Sequence, residues 1–123
     1  MIMTDNGEPV SAQNVAALQA QIQTLTHERS LLYTLIDHLP DLLYVKDAEG
    51  HFVLVNQAVM DYLKVDNKAD IIGKTDEAFY PEETARGFMA TERAILDTRE
   101  PVIDLEEKIT YEDGSTGWAL TSK

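Results

Sequence analysis

The chain has 123 residues, 44% of them hydrophobic, enough for one domain with a packed core. Its formal net charge of -12, from 22 acidic and 10 basic side chains, repels phosphate backbones and anionic lipid, which argues against nucleic-acid and membrane-surface binding. The absence of cysteine excludes disulfides, zinc-thiolate centres, cysteine nucleophiles and flavin-cysteine adducts, and fits a reducing compartment.

Residues 1–10 are polar, with Gly7 and Pro9, and are expected to be a disordered N-terminus. They lack a charged region followed by an apolar run, so no signal peptide is expected. No stretch approaches the roughly 20 apolar residues of a membrane span. A cytoplasmic chain is the expectation.

Residues 11–39 read as one amphipathic helix. Ser11 is placed to cap it, and Pro40 stops it because the residue before proline avoids the helical region. Val15, Leu18, Ile22, Leu25, Leu32, Ile36 and Leu39 recur at alternating spacings of three and four, with Arg29 in an a-type slot of the seam. Such a helix rises about 40 Å, longer than so small a domain covers, so a homodimeric coiled coil through Val15, Leu18, Ile22, Leu25, Arg29, Leu32 and Ile36 is expected. A helix folded back onto its own domain is the alternative.

Asp41–Asp47 and His51–Asn56 read as two strands of a hairpin turning at Ala48, Glu49 and Gly50. Both faces are apolar: Leu43 and Val45 against Leu42 and Tyr44, then Phe52 and Leu54 against Val53 and Val55. A sheet with one wet face would alternate, so both faces are expected to be covered. Asn56 caps a short helix carrying Val59, Met60, Tyr62 and Leu63, and Asn67 a turn ending at Gly73. Thr75 opens another turn through Phe79. Pro81 suits a first helical position, followed by Glu82 and Glu83, in a helix to about Thr98 whose apolar side is Ala85, Phe88, Met89, Ile95 and Leu96.

Val102–Tyr111 reads as a third strand and Thr116–Lys123 as a fourth, joined at Asp113-Gly114. Period-two alternation puts Ile103, Leu105, Glu107, Ile109 and Tyr111 on one face, where Glu107 interrupts an apolar stripe. A buried carboxylate needs a partner, so Glu107 either faces a cavity, binding a ligand donor or an internal Lys or Arg, or reaches water at an edge or bulge. A two-residue turn would pair Trp118 with Ile109 and point it inward; a longer, bulged turn would turn Ala119 and Thr121 inward instead. The class is α+β, an antiparallel sheet with helices between its halves.

Three segments in order, DLLYVKDAEGHFVLVNQAVMDYL, IIGKTDEAFYPEETA and EEKITYEDGSTGWALTSK, resemble a PAS sensor domain over Leu39 to Lys123. The resemblance implies a PAS-like half-barrel sheet cupping short helices around a small cavity, with a long N-terminal helix for dimer contact and signal transfer. It favours the bulged turn and an outward Trp118. PAS domains usually have five strands and four are legible, so residues 40–123 look like a C-terminally incomplete PAS domain. The implied function is a noncatalytic sensory module of a larger receptor, of the sensor histidine kinase or cyclic-dinucleotide enzyme type. An alternative is a ligand-free dimerisation and docking module; an enzyme using Glu107 as a base comes last.

Flavin photoreceptors of this family need a cysteine where Gly73-Lys74-Thr75-Asp76-Glu77 places Asp76, so no adduct photocycle is expected. Haem-binding members use a histidine on the long helix, and Pro81 to Thr98 contains none. His27, His38 and His51 lack metal-ligand spacing, and no metal site is expected. The residues assigned to a cavity for an unidentified small molecule are Tyr44, Met60, Phe79, Phe88, Met89, Glu107, Ile109 and Thr121. At helical spacing, Met60, Phe79, Phe88 and Met89 serve equally as plain core.

Overall fold

The computed structural model describes Gly7 and residues 11–123, so the expected disordered N-terminus lies, Gly7 apart, outside the described residues. The chain divides into two compact units, Met1–Leu39 and Pro40–Lys123.

In the first unit, α1 spans Ala12–Asp37, about 39 Å of helix. Ser11 caps it from extended backbone, its hydroxyl accepting the Asn14 N–H at 3.1 Å. Leu18, Ile22, Leu25 and Leu32 of the seam are all more than half exposed. Leu31 and Leu35 add apolar surface one position off that seam, so the stripe is wider than a strict coiled-coil register. The Arg29 guanidinium lies 5.4 Å from the centroid of the Tyr33 ring.

The second unit holds β1 (Tyr44–Lys46), β2 (Phe52–Val55), α2 (Gln57–Leu63), 3-10 turns at Lys68–Asp70 and Asp76–Ala78, α3 (Glu82–Thr98), β3 (Leu105–Thr110) and β4 (Thr116–Thr121). The class is α+β, as expected. The four strands make two separate antiparallel pairs, β1 with β2 and β3 with β4, rather than one continuous sheet.

The first hairpin is shorter than Asp41–Asp47 and His51–Asn56. The register steps from Val45 opposite Leu54 to Lys46 opposite Phe52, leaving Val53 as an extra residue. That bulge corrects the assignment of faces. Phe52 and Val55, three apart, are both buried, whereas Val53 is 53% exposed. Val45 is 52% exposed as well, so Val45 and Val53 do not join the core that Phe52 and Val55 enter. Gly50 adopts φ +85 at the turn, and Asp47 Oδ1 accepts the N–H groups of Glu49 and His51.

Behind the hairpin, Phe52, Val55, Val59, Met60 and Ile71 form the core, flanked by Tyr44, Leu63, Val65 and Phe79. Asn56 organises this region and is fully buried. Its Oδ1 caps α2 by accepting the Val59 N–H at 3.3 Å and also accepts the Leu43 N–H at 3.1 Å. Its Nδ2 donates to the Asp41 carbonyl at 2.9 Å. One side chain therefore fixes α2 to the segment entering β1.

Pro81 precedes α3 as its cap residue rather than occupying the first helical position, and Arg99, at φ 57, ends the helix. Ala85 is buried, but Leu96 is 45% exposed, so the apolar side is shorter than expected. The Thr84 hydroxyl donates to the Thr110 carbonyl at 3.1 Å, tying α3 to β3.

Between β3 and β4 the chain makes a longer turn. Tyr111 N–H donates to Ser115 O at 2.9 Å, and Thr110 pairs with Thr116. Asp113 accepts the Ser115 N–H and hydroxyl, which holds its carboxyl below the usual range. Glu107 therefore lies opposite Ala119 and Ile109 opposite Gly117, and Trp118, opposite Lys108, is 71% exposed. Asp104 has φ 53 and interrupts the strand, which removes Ile103, 65% exposed, from the inner stripe.

Candidate functional site

A cavity of about 690 Å³ is lined by Leu42, Leu43, Tyr44 and Lys46, by residues 119–123, and by side chains of α2, α3 and β3. The wall is mixed. Leu43, Val59, Leu63, Phe88 and Ile109 are apolar, whereas Lys46, Asp76, Glu92, Glu107 and Lys123 carry charge. That volume suits a small organic molecule.

The charged residues form a chain of ion pairs. Lys46 Nζ lies 2.5 Å from Asp76 Oδ2 and 2.6 Å from Glu92 Oε1. Lys123 Nζ lies 3.1 Å from Glu107 and 3.9 Å from Glu92. The Lys46, Asp76 and Lys123 side chains are each less than 10% exposed. Burial of this kind is tolerable only because each charge has an opposite neighbour. Glu92 is shared by both lysines, so α3 links the two strand pairs. Each ammonium also sits over aromatic faces: Lys46 is 4.7 Å from the Phe52 centroid and 5.3 Å from that of Tyr44, and Lys123 is 5.1 Å from that of Phe88.

Three tyrosines line the same cavity. Tyr44, Tyr62 and Tyr80 are pushed above the ordinary phenol range, in each case chiefly by burial. The carboxylates of Glu92, Glu107 and Asp76 add to the effect at Tyr44. Tyr62 and Tyr111 share a hydroxyl hydrogen bond of 2.5 Å, and Tyr80 packs edge-on against Phe88.

Of the residues assigned to the cavity from sequence, Tyr44, Phe88, Glu107, Ile109 and Thr121 line it. Met60 and Phe79 do not. Met60 is buried in the core, where Phe79 packs beside it and meets the Phe52 ring edge-on. Met89 lies at a separate depression with Ala48, Glu49, Gly50 and Arg86, because α3 turns it away from Phe88 by one residue. Glu107 meets an internal lysine.

Sequence reasoning missed Lys46, Glu92 and Lys123, and noticed Asp76 only for occupying a cysteine slot. Two signals were present. Lys46 stands two residues after Tyr44 on one strand, and Glu92 four residues after Phe88 on one helix, so each pair shares a face.

At the first hairpin turn, Asp47, Glu49 and His51 bring three potential metal-ligand atoms within 4.8 Å of one another, a proximity their sequence spacing did not suggest. Asp47 already caps the turn, and the His51 N–H it accepts is the main cause holding its carboxyl below the usual range. No helix among the described residues is long and apolar enough to cross a membrane.

None of the curated proteins matches the chain. Among solved structures, the PAS domain of an HTR-like protein from Haloarcula marismortui is similar at 22% identity and TM-score 0.52, covering 81% of this chain and 80% of that one. The PAS domain of a protein from Colwellia psychrerythraea is similar at 16% identity and TM-score 0.55, over 76% and 75%. At such identities these likenesses speak for the fold. The family model described as PAS fold, PAS_4, matches residues 36–123, most of the chain and all of the second unit. This protein belongs to the PAS fold family.

Proposed function

We propose that residues 40–123 act as a noncatalytic sensory module that takes a small molecule into the cavity, and that α1 pairs with α1 of a second copy to carry the response. The cavity is the observation that carries this reading: its volume and mixed wall suit a ligand with an apolar body and a polar end. The exposed leucine and isoleucine stripe of α1 supports the dimer. Glu107 is held by Lys123, a poor arrangement for a general base and a good one for a structural or binding contact. The mechanism is a population shift, in which a ligand that prefers one arrangement of the two strand pairs biases the dimer that contains them. Such a module serves as the input of a larger signalling receptor, of the sensor histidine kinase or cyclic-dinucleotide enzyme type.

Native mass spectrometry of the purified chain, set against the denatured sample, tests both parts. The expected result is a dimer carrying extra mass. A dimer without extra mass would favour a ligand-free docking module, and a monomer would overturn the role of α1.

A further inference from the structure

Resting on that reading, we infer that the cavity's ligand is an organic cation: a protonated or quaternary amine on an apolar body. The charge count favours a cation. Three carboxylates, Asp76, Glu92 and Glu107, pair with two ammonium groups, Lys46 and Lys123, and Asp41 lines the same cavity, so its wall carries two more negative charges than positive ones. Both lysines are already bracketed by two carboxylates each, so an entering anion finds no available cation. It would also meet a chain of net charge -12.

The aromatic contacts point the same way independently. The cavity already holds two ammonium groups against ring faces, Lys46 over Phe52 and Lys123 over Phe88. The wall is thus shaped to seat a cation between carboxylate and ring, the arrangement that recognises ammonium ligands. The two seats differ in tightness. Lys46 is held at 2.5 and 2.6 Å, Lys123 at 3.1 and 3.9 Å. An incoming ammonium settles beside the more loosely held Lys123, sharing Glu107, Glu92 and the Phe88 ring with it and offsetting the surplus negative charge. Its apolar body then lies along Ile109 and Leu63.

The test is isothermal titration of the full chain with three probes of matched size: 2-phenylethylamine, 3-phenylpropionate and 2-phenylethanol. The amine is expected to bind at least tenfold more tightly than the other two. Glu107→Gln should weaken the amine about tenfold and leave the alcohol unchanged. Lys123→Met, which vacates the seat, should tighten the amine severalfold. Circular dichroism confirms that each variant is folded before its affinity is read. Equal or tighter binding of the propionate or the alcohol would overturn the cation assignment while leaving a small-molecule cavity standing. Amine binding indifferent to both variants would overturn the assigned seat. Failure of all three probes would overturn this inference, and extra mass in the native spectrum would then leave the sensor reading standing.

Discussion

Replacing Asn56 with alanine isolates the tie between α2 and the first strand. The substitution removes the cap on the Val59 N–H, the bond from the Leu43 N–H and the bond to the Asp41 carbonyl, all at a fully buried site. Losing an N-cap costs about 1 kcal/mol. Each of the other two is a part-buried hydrogen bond whose loss costs about 1 kcal/mol. The sum is about 3 kcal/mol, equivalent to a fall in Tm of about 12–24 °C for a unit of this size. Asn56→Ser keeps an oxygen for the cap but is too short to reach Asp41, so its cost should fall between wild type and alanine. Urea unfolding followed by near-ultraviolet circular dichroism reads the effect, because Tyr44, Tyr62, Tyr80 and Tyr111 all belong to residues 40–123. A cost below about 1 kcal/mol for Asn56→Ala would refute the reasoning, since it would mean that water or a small shift satisfies all three groups.

Lys46→Met leaves Asp76 and Glu92 facing each other without their shared cation and should destabilise the second unit by about 3 kcal/mol in urea unfolding at neutral pH. A Cβ on Gly117 would stand 3.2 Å from the Tyr111 hydroxyl and at an ordinary 3.5 Å from its ring, so Gly117→Ala should be destabilising with Tyr111 and much less so with Tyr111→Phe. A double-mutant cycle with no coupling would refute that contact. Tyr44, Tyr62 and Tyr80 are raised in the fold above an unfolded value of 10.0, so the stability they contribute is intact below pH 10 and drains away as pH rises beyond it. Absorbance titration at 295 nm should therefore show these tyrosines ionising late, together with unfolding. Arg29→Leu removes a charge from the α1 seam and should tighten dimerisation in sedimentation analysis; unchanged association would count against the seam as the dimer contact.

What the sequence made legible was local. Ser11, Asn56 and Asn67 each cap the element predicted to follow, because a cap is a contact over two or three residues and its chemistry is written in one side chain. Gly50 takes its expected turn conformation for the same reason. The longer turn at Tyr111–Ser115 was legible through family pattern rather than spacing, since Asp113-Gly114 alone suits two registers. The bulge at Val53 was not legible: both faces of that strand are apolar, so nothing in the pattern marks the residue that slips out of register. The ion chain was missed because its members are scattered over four elements and the segment after β4, and an acidic chain offers many carboxylates from which only tertiary contact selects Asp76 and Glu92.

The separation of the strands into two hairpins has a kinetic consequence. Each strand pairs only with its neighbour along the chain, so every ladder closes over a short loop, and chains dominated by local contacts fold fast. Some ties span more of the chain: Phe52 exchanges backbone hydrogen bonds with Gly73 and Lys74, and Lys46 reaches Asp76 and Glu92 through its side chain, thirty and forty-six residues away. Such contacts belong after the rate-limiting barrier, when hairpins and helices already stand. Lys46→Met should then steepen escape from the native state and leave the folding limb of a chevron nearly untouched.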